Sequence, residues 1–141
     1  MFTDLHLAVG EFARLLRPGG RGLLYLVLTG PLIDDREAAE FHARSRLPSL
    51  RPADIDRAVS EAGLTIGERV DFEGEWGERR QEETGEPGRR LLCTSRLLRQ
   101  PDRYIQEFGR DNYDIMLGDC LWHVYRLIGK LTGYAWTFAK G

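Results

Sequence analysis

EFARLLRPGGRGLLYLVL, residues 11–28, runs a short amphipathic helix through a tight turn into an apolar strand. In Glu11–Leu16 the apolar residues Phe12, Leu15 and Leu16 fall at helical spacing, which leaves Glu11 and Arg14 to face water. Pro18 disfavours helical geometry at Arg17, and Gly19-Gly20 supplies the turn. Leu23–Leu28, LLYLVL, is six apolar residues without alternation. That pattern predicts a strand buried on both faces, in a parallel or mixed sheet covered by helices. The unit therefore predicts an α/β crossover that arrives in the middle of a sheet.

The remaining chain continues in this style. Asp34 or Asp35 can cap a helix over Arg36–Arg44, with Glu37 supporting its first turn and Ala38 and Phe41 facing inward. Pro52 suits the first turn of another helix, with Ile55, Ala58, Val59 and Ala62 as its apolar stripe and Gly63 as its stop. Leu64–Phe72 reads as a strand, with Gly67 at a bulge. Residues 73–90 are polar and glycine-rich and read as a loop or hairpin tip. Arg89–Leu98 is expected to return as a strand antiparallel to Leu64–Phe72. Pro101–Gly109 predicts a short helix, and Asp111–Leu131 a long one with Leu117, Leu121, Val124, Ile128 and Leu131 along one face. In the tail, Tyr134, Trp136 and Phe138 alternate, as in a short strand or an aromatic arm.

Bulk properties narrow the function classes. A length of 141 residues fits one domain with a real core. With 42% apolar and 30% charged residues the chain is neither disordered nor extreme. A net charge of −2 gives no electrostatic reason to expect nucleic acid or an anionic membrane as partner. Cys93 and Cys120 lie far apart and match no metal-ligand spacing, so no metal site is expected and the thiols read as free and buried. No apolar run approaches the ~20 residues of a membrane helix, and the start carries no signal-peptide pattern, so a cytoplasmic protein is expected.

RLLRPGGRGLLYLV, residues 14–27, resembles the signature of class I S-adenosylmethionine-dependent methyltransferases, where it forms the helix and turn leading into the fifth strand. EAGLTIGE, residues 61–68, resembles the segment before the sixth strand of the same family. The resemblance implies an α/β, partial Rossmann-like methyltransferase fold: strands five to seven with flanking helices and a C-terminal helical extension. It implies a C-terminal half-domain over residues 1–100 and a helical tail over residues 101–141 packing on it as a substrate cover. It implies S-adenosylmethionine as cofactor and a small molecule as methyl acceptor. The family's glycine-rich cofactor loop and acidic ribose-binding residue lie upstream of this signature. No cofactor-binding residue is therefore assigned here, and the isolated chain is expected to be inactive. Its expected partners are a second copy or a separate chain carrying the N-terminal half. The alternative is a non-catalytic interaction or dimerisation module derived from a methyltransferase.

Candidate site residues follow from position and chemistry. In a methyltransferase Phe2, Thr3 and His6 would lie near the mouth of the active site; His6 alone could equally be a solvent-facing residue. Thr29 leaves the strand at its carboxyl end, where open α/β sheets line their ligand crevice. Trp76, a large ring in a polar stretch, either tucks under its loop or lines a substrate pocket. Tyr113, Asp119, His123 and Arg126 recur at helical intervals, and Asp119 and His123 are four apart, so their side chains can touch. A carboxylate beside an imidazole can orient a general base for deprotonating a methyl acceptor, or can be a structural pair. Phe2, His6, Thr29, Trp76 and Tyr113 are the substrate-side candidates; His123 and Asp119 are the catalytic ones.

Overall fold

The computed structural model describes residues 4–72 and 75–141. In chain order its elements are α1 (Leu5–Leu15), β1 (Arg21–Thr29), α2 (Asp35–Ser45), α3 (Pro52–Glu61), β2 (Leu64–Asp71), α4 (Glu75–Thr84), α5 (Glu86–Arg99), α6 (Pro101–Phe108), α7 (Arg110–Leu127) and β3 (Leu131–Lys140). They divide into two units: Met1–Leu28, Leu50–Phe72 and Gly133–Gly141 in the first, Thr29–Ser49 and Glu73–Thr132 in the second.

The first unit is a sheet with helices on one face. The strand order is β1-β3-β2, and β3 runs antiparallel to β2 with a register shift between Ile66 and Glu68. That shift is the bulge expected at Gly67. The Asp4 carboxylate caps α1 by accepting from the Leu7 N–H at 3.1 Å. At the Pro-Gly-Gly turn Gly19 adopts φ +73°, and its N–H donates to the Lys140 carbonyl at 2.8 Å, so the turn is pinned to the far end of β3. Val9, Ile55, Ala58 and Val59 from α1 and α3 pack with Leu24, Leu28, Tyr134, Trp136 and Phe138 from the sheet. Trp136 is fully buried, and its indole N–H donates to Asp56 at 2.8 Å. Gly22 lets the Phe138 ring lie on β1, because a Cβ there would stand 2.4 Å from it.

The second unit is helical. α7 is its axis, packed by α2, α4, α5 and α6. Tyr113, Leu117 and Cys120 of α7 meet Leu97 of α5, with Tyr104 and Ile105 of α6 against them. Gly77 brings α4 onto the end of α7, since a Cβ there would lie 2.7 Å from the Arg126 carbonyl oxygen.

Three expectations change at the level of elements. Arg89–Leu98 is helix α5, and the strand antiparallel to β2 is β3, drawn from the alternating Tyr134-Trp136-Phe138 segment instead. Residues 89–98 are built from Leu and Arg, good helix formers, and Cys93, Thr94 and Leu97 lie on one helical face while Leu91, Leu92 and Leu98 stay exposed. The segment expected as a loop holds α4, whose Glu, Arg and Gln residues favour helix and add an i,i+4 pair, Arg79 to Glu83 at 2.7 Å. β1 is an edge strand among the described residues, and Leu23 and Tyr25 are exposed, so the apolar run is covered on one face and not on both.

Candidate functional site

Within the second unit, α4, α5 and α7 converge on a charged and aromatic cluster. Pro87 at the first turn of α5 follows Glu86, whose carboxylate accepts from Arg80 Nη2 at 2.6 Å and Nε at 3.1 Å. His123 Nε2 lies 3.9 Å from the same carboxylate and Arg90 Nη2 at 3.8 Å. The hydrogen bond from Arg80 holds the Glu86 carboxyl below its ordinary range, with lesser help from the charges of His123 and Arg90. Burial pushes the His123 imidazole down, against the opposing pull of Glu86, so the ring is neutral near pH 7. Arg126, buried to 2% exposure, stacks its guanidinium 4.2 Å from the centre of the Trp76 ring and 5.8 Å from Trp122.

A second polar group stands where α2 meets the turn after α7. Asp34 caps α2 by accepting from the Glu37 N–H at 2.8 Å. The Glu37 side chain then turns away from the cap. It accepts from the Tyr125 hydroxyl at 2.9 Å and holds the Lys130 ammonium on both oxygens. Burial, then this carboxylate, push the Tyr125 phenol up to about 12. A phenol so high is a donor and no base at physiological pH.

The structure redistributes the residues singled out in the sequence. Asp119 does not meet His123: its carboxylate takes Arg90 at 2.7 Å, and the carboxylate facing His123 is Glu86, from a different helix. Helical spacing allowed the contact, but the arginine of the neighbouring helix competes for the acid. Tyr113 is 3% exposed in the helical core, and its hydroxyl donates to the Leu97 carbonyl. His6 is solvent-facing and pairs with Glu61 at 3.3 Å. Thr29 is buried at the end of β1. Trp76 is on α4 and packs on Arg126. Phe2 and Thr3 lie outside the described residues. Sequence reading missed Glu86, Tyr125 and Lys130, whose roles depend on partners up to 93 positions away. Among the described residues no group of His, Cys, Asp and Glu could hold a metal ion. No described helix is long and apolar enough to cross a membrane.

No protein-family model and no curated protein matches this sequence. Solved structures do. A protein assigned as a sarcosine dimethylglycine methyltransferase from Galdieria sulphuraria matches with TM-score 0.60 and 17% identity over 99% of this chain. This chain has a partial methyltransferase fold. Phosphoethanolamine N-methyltransferase 2 from Haemonchus contortus, in complex with S-adenosylhomocysteine, matches with TM-score 0.56 and 14% identity over 97% of this chain. The [4+2]-cyclase SpnF matches with TM-score 0.55 and 15% identity over 96%. The chain spans 49%, 30% and 43% of these proteins respectively. Because a cyclase shares the fold, the methyltransferase fold by itself does not fix the reaction.

Of the described glycines that flank β1, neither Gly20 nor Gly30 leaves room beside it for a ligand. A cofactor cradle needs a glycine after a strand, open for close approach of the ligand. The glycine that follows β1 is Gly30, and the space over it is filled by the chain itself: a Cβ there would lie 2.7 Å from the Gly129 oxygen and from Thr132 Oγ1. Gly20 precedes β1, and its Cβ position is blocked by the Arg17 oxygen at 2.7 Å.

Proposed function

We propose that the chain is the C-terminal portion of an S-adenosylmethionine-dependent methyltransferase acting on a small-molecule acceptor in the cytoplasm. Residues 1–141 alone do not transfer methyl groups. The reading is carried by the antiparallel β1-β3-β2 sheet entered through Arg17-Pro18-Gly19-Gly20, in a chain that matches methyltransferase structures over nearly its whole length. The acceptor side is assigned to the helices inserted between the strands. There Trp76 and Trp122 offer apolar ring area, and His123, neutral near pH 7, is a group that can take a proton from an acceptor hydroxyl or amine. Its carboxylate is Glu86 and not Asp119. Titration calorimetry of the isolated chain with S-adenosylmethionine tests the assignment. No heat of binding at micromolar concentrations is expected, and micromolar binding would show the cofactor site to be present in this half.

The second reading is a non-catalytic interaction or dimerisation module. It is favoured by the exposure of Leu23 and Tyr25 on edge strand β1. Light scattering separates the two, since a stable dimer at micromolar concentration supports this reading and a folded monomer removes it.

A further inference from the structure

We propose that α5, α6 and α7 form a binding site for a small amphipathic carboxylate, with its anionic head on Arg96 and its apolar body among Leu97, Tyr104 and Met116. The site goes beyond the methyltransferase reading: it gives the helical unit a ligand of its own, apart from the cofactor and from the His123–Glu86 group, neither member of which lines the cavity.

The space and its walls come first. A cavity of about 300 Å³ lies within the second unit. That is the small end of the range for ligand pockets, ~300–1,000 Å³. Pro101 opens α6 directly after α5. α6 rests Tyr104 and Ile105 on the core of Leu97, Tyr113, Leu117 and Cys120, yet none of its residues is fully buried. The cavity lies between this shallowly seated helix, through Tyr104, and the seam of α5 and α7. Its walls are mostly apolar: Leu97, Tyr104 and Met116, with the free thiols Cys93 and Cys120. Burial pushes the Cys120 thiol up, so it is neutral near pH 7 and its sulfur adds to the apolar wall.

The charges choose the ligand. Three charged side chains line the cavity, and they are not equivalent. Arg90 and Asp119 pair at 2.7 Å, and Arg90 also lies 3.8 Å from Glu86, so these two are already met within the protein. Arg96 has no ion pair or side-chain hydrogen bond among the described residues. It is therefore the one lining charge left to a ligand. A guanidinium presents parallel N–H donors that match the two oxygens of a carboxylate. Apolar walls beside it take up a hydrocarbon body and remove that body from water. A single free arginine complements the one charge of a carboxylate more closely than the nearly two charges of a phosphate monoester. An amine would be repelled by the same group.

Octanoate is the probe, applied to the full chain. Cys93 is half-buried in the cavity wall, so a bound ligand shields its thiol. Iodoacetamide alkylation of Cys93 is followed by peptide mass spectrometry, with and without millimolar octanoate. Octanoate should slow the reaction at least fivefold, whereas acetate, which lacks the body, and octanol, which lacks the charge, should slow it less than twofold. Arg96→Gln should abolish the protection while leaving circular dichroism and Tm unchanged, because Arg96 is exposed. Arg89→Gln removes the same charge from α5 outside the cavity and should leave protection intact. No protection by octanoate, equal protection by octanol, protection that survives Arg96→Gln, or its loss in Arg89→Gln as well would overturn the proposal. Stronger protection by octyl phosphate than by octanoate would also overturn it, since the site would then be one for phosphate. None of these measurements involves S-adenosylmethionine, so the site stands or falls apart from the methyltransferase reading.

Discussion

Two half-buried imidazoles contribute to the pH response of the molecule. The His42 Nδ1–H donates to the Leu47 carbonyl at 3.0 Å, while its Nε2 is buried with no hydrogen-bond partner. Protonating Nε2 would leave a charged N–H unmet, and burial pushes the pKa down accordingly. His123 is lowered for the same reason. A histidine held below its ordinary value, ~6.5, makes no difference to stability well above that value. As pH falls through it, the unfolded chain takes up protons that the fold resists, and stability drops. Thermal unfolding at pH 7.5 and 5.5 should show this drop, and His42→Asn, which keeps a donor to Leu47, should make it smaller. An unchanged drop would mean that carboxylates alone govern the response. A second residue-scale expectation concerns Asp56. Asp56→Ala removes the acceptor of the buried Trp136 indole and should cost ~1–3 kcal/mol in urea unfolding. Arg69→Ala, which removes only a part-exposed ion pair with the same acid, should cost less than ~1 kcal/mol.

Elements in this chain are placed by a few close approaches, and two glycines distinguish placement from propensity. Gly10 and Gly77 both sit inside helices, where alanine is intrinsically better by ~1 kcal/mol. A Cβ on Gly10 meets nothing within 4 Å, so Gly10→Ala should stabilise α1 by roughly 0.5–1 kcal/mol. A Cβ on Gly77 would stand 2.7 Å from the backbone of α7, which cannot move aside as a side chain can. Gly77→Ala should therefore destabilise by ~1–3 kcal/mol despite its better helix propensity. Denaturant titration of the two variants gives opposite signs if α4 packs on α7 as described, and the same sign if α4 is detached.

At the scale of the molecule, the first unit has one covered sheet face and one open one. Bound 8-anilinonaphthalene sulfonate should fluoresce with the native isolated chain, and Leu23→Lys/Tyr25→Lys should reduce that signal severalfold without changing the unfolding midpoint. Surface substitutions away from packed features shift stability by ~0.5 kcal/mol or less, so a large loss of stability would mean that these side chains are packed in the isolated chain. The second unit should tolerate the same substitutions unchanged, because its core of Leu97, Tyr113, Leu117 and Cys120 uses none of those residues.

What the sequence determined by itself were the elements whose cause is local. Pro18-Gly19-Gly20 ends one helix and starts β1, Asp34 and Pro52 open α2 and α3, Gly63 and Gly109 close helices, and Leu117, Leu121 and Val124 mark α7, although Ile128 lies beyond its end and Leu131 begins β3. With the Arg-Pro-Gly-Gly run these were enough to point to a partial methyltransferase fold. Residues 89–98 were not legible in the same way. A short Leu- and Arg-rich run suits either a strand or a helix until it is known which side chains find a core. Only the tertiary structure decided that the alternating tail is the middle strand, that Glu86 and not Asp119 faces His123, and that Glu37 leaves its cap for Tyr125 and Lys130. Each depends on partners tens of residues away, and a charged side chain's choice among several reachable partners is settled by packing, on which spacing along one helix carries no information.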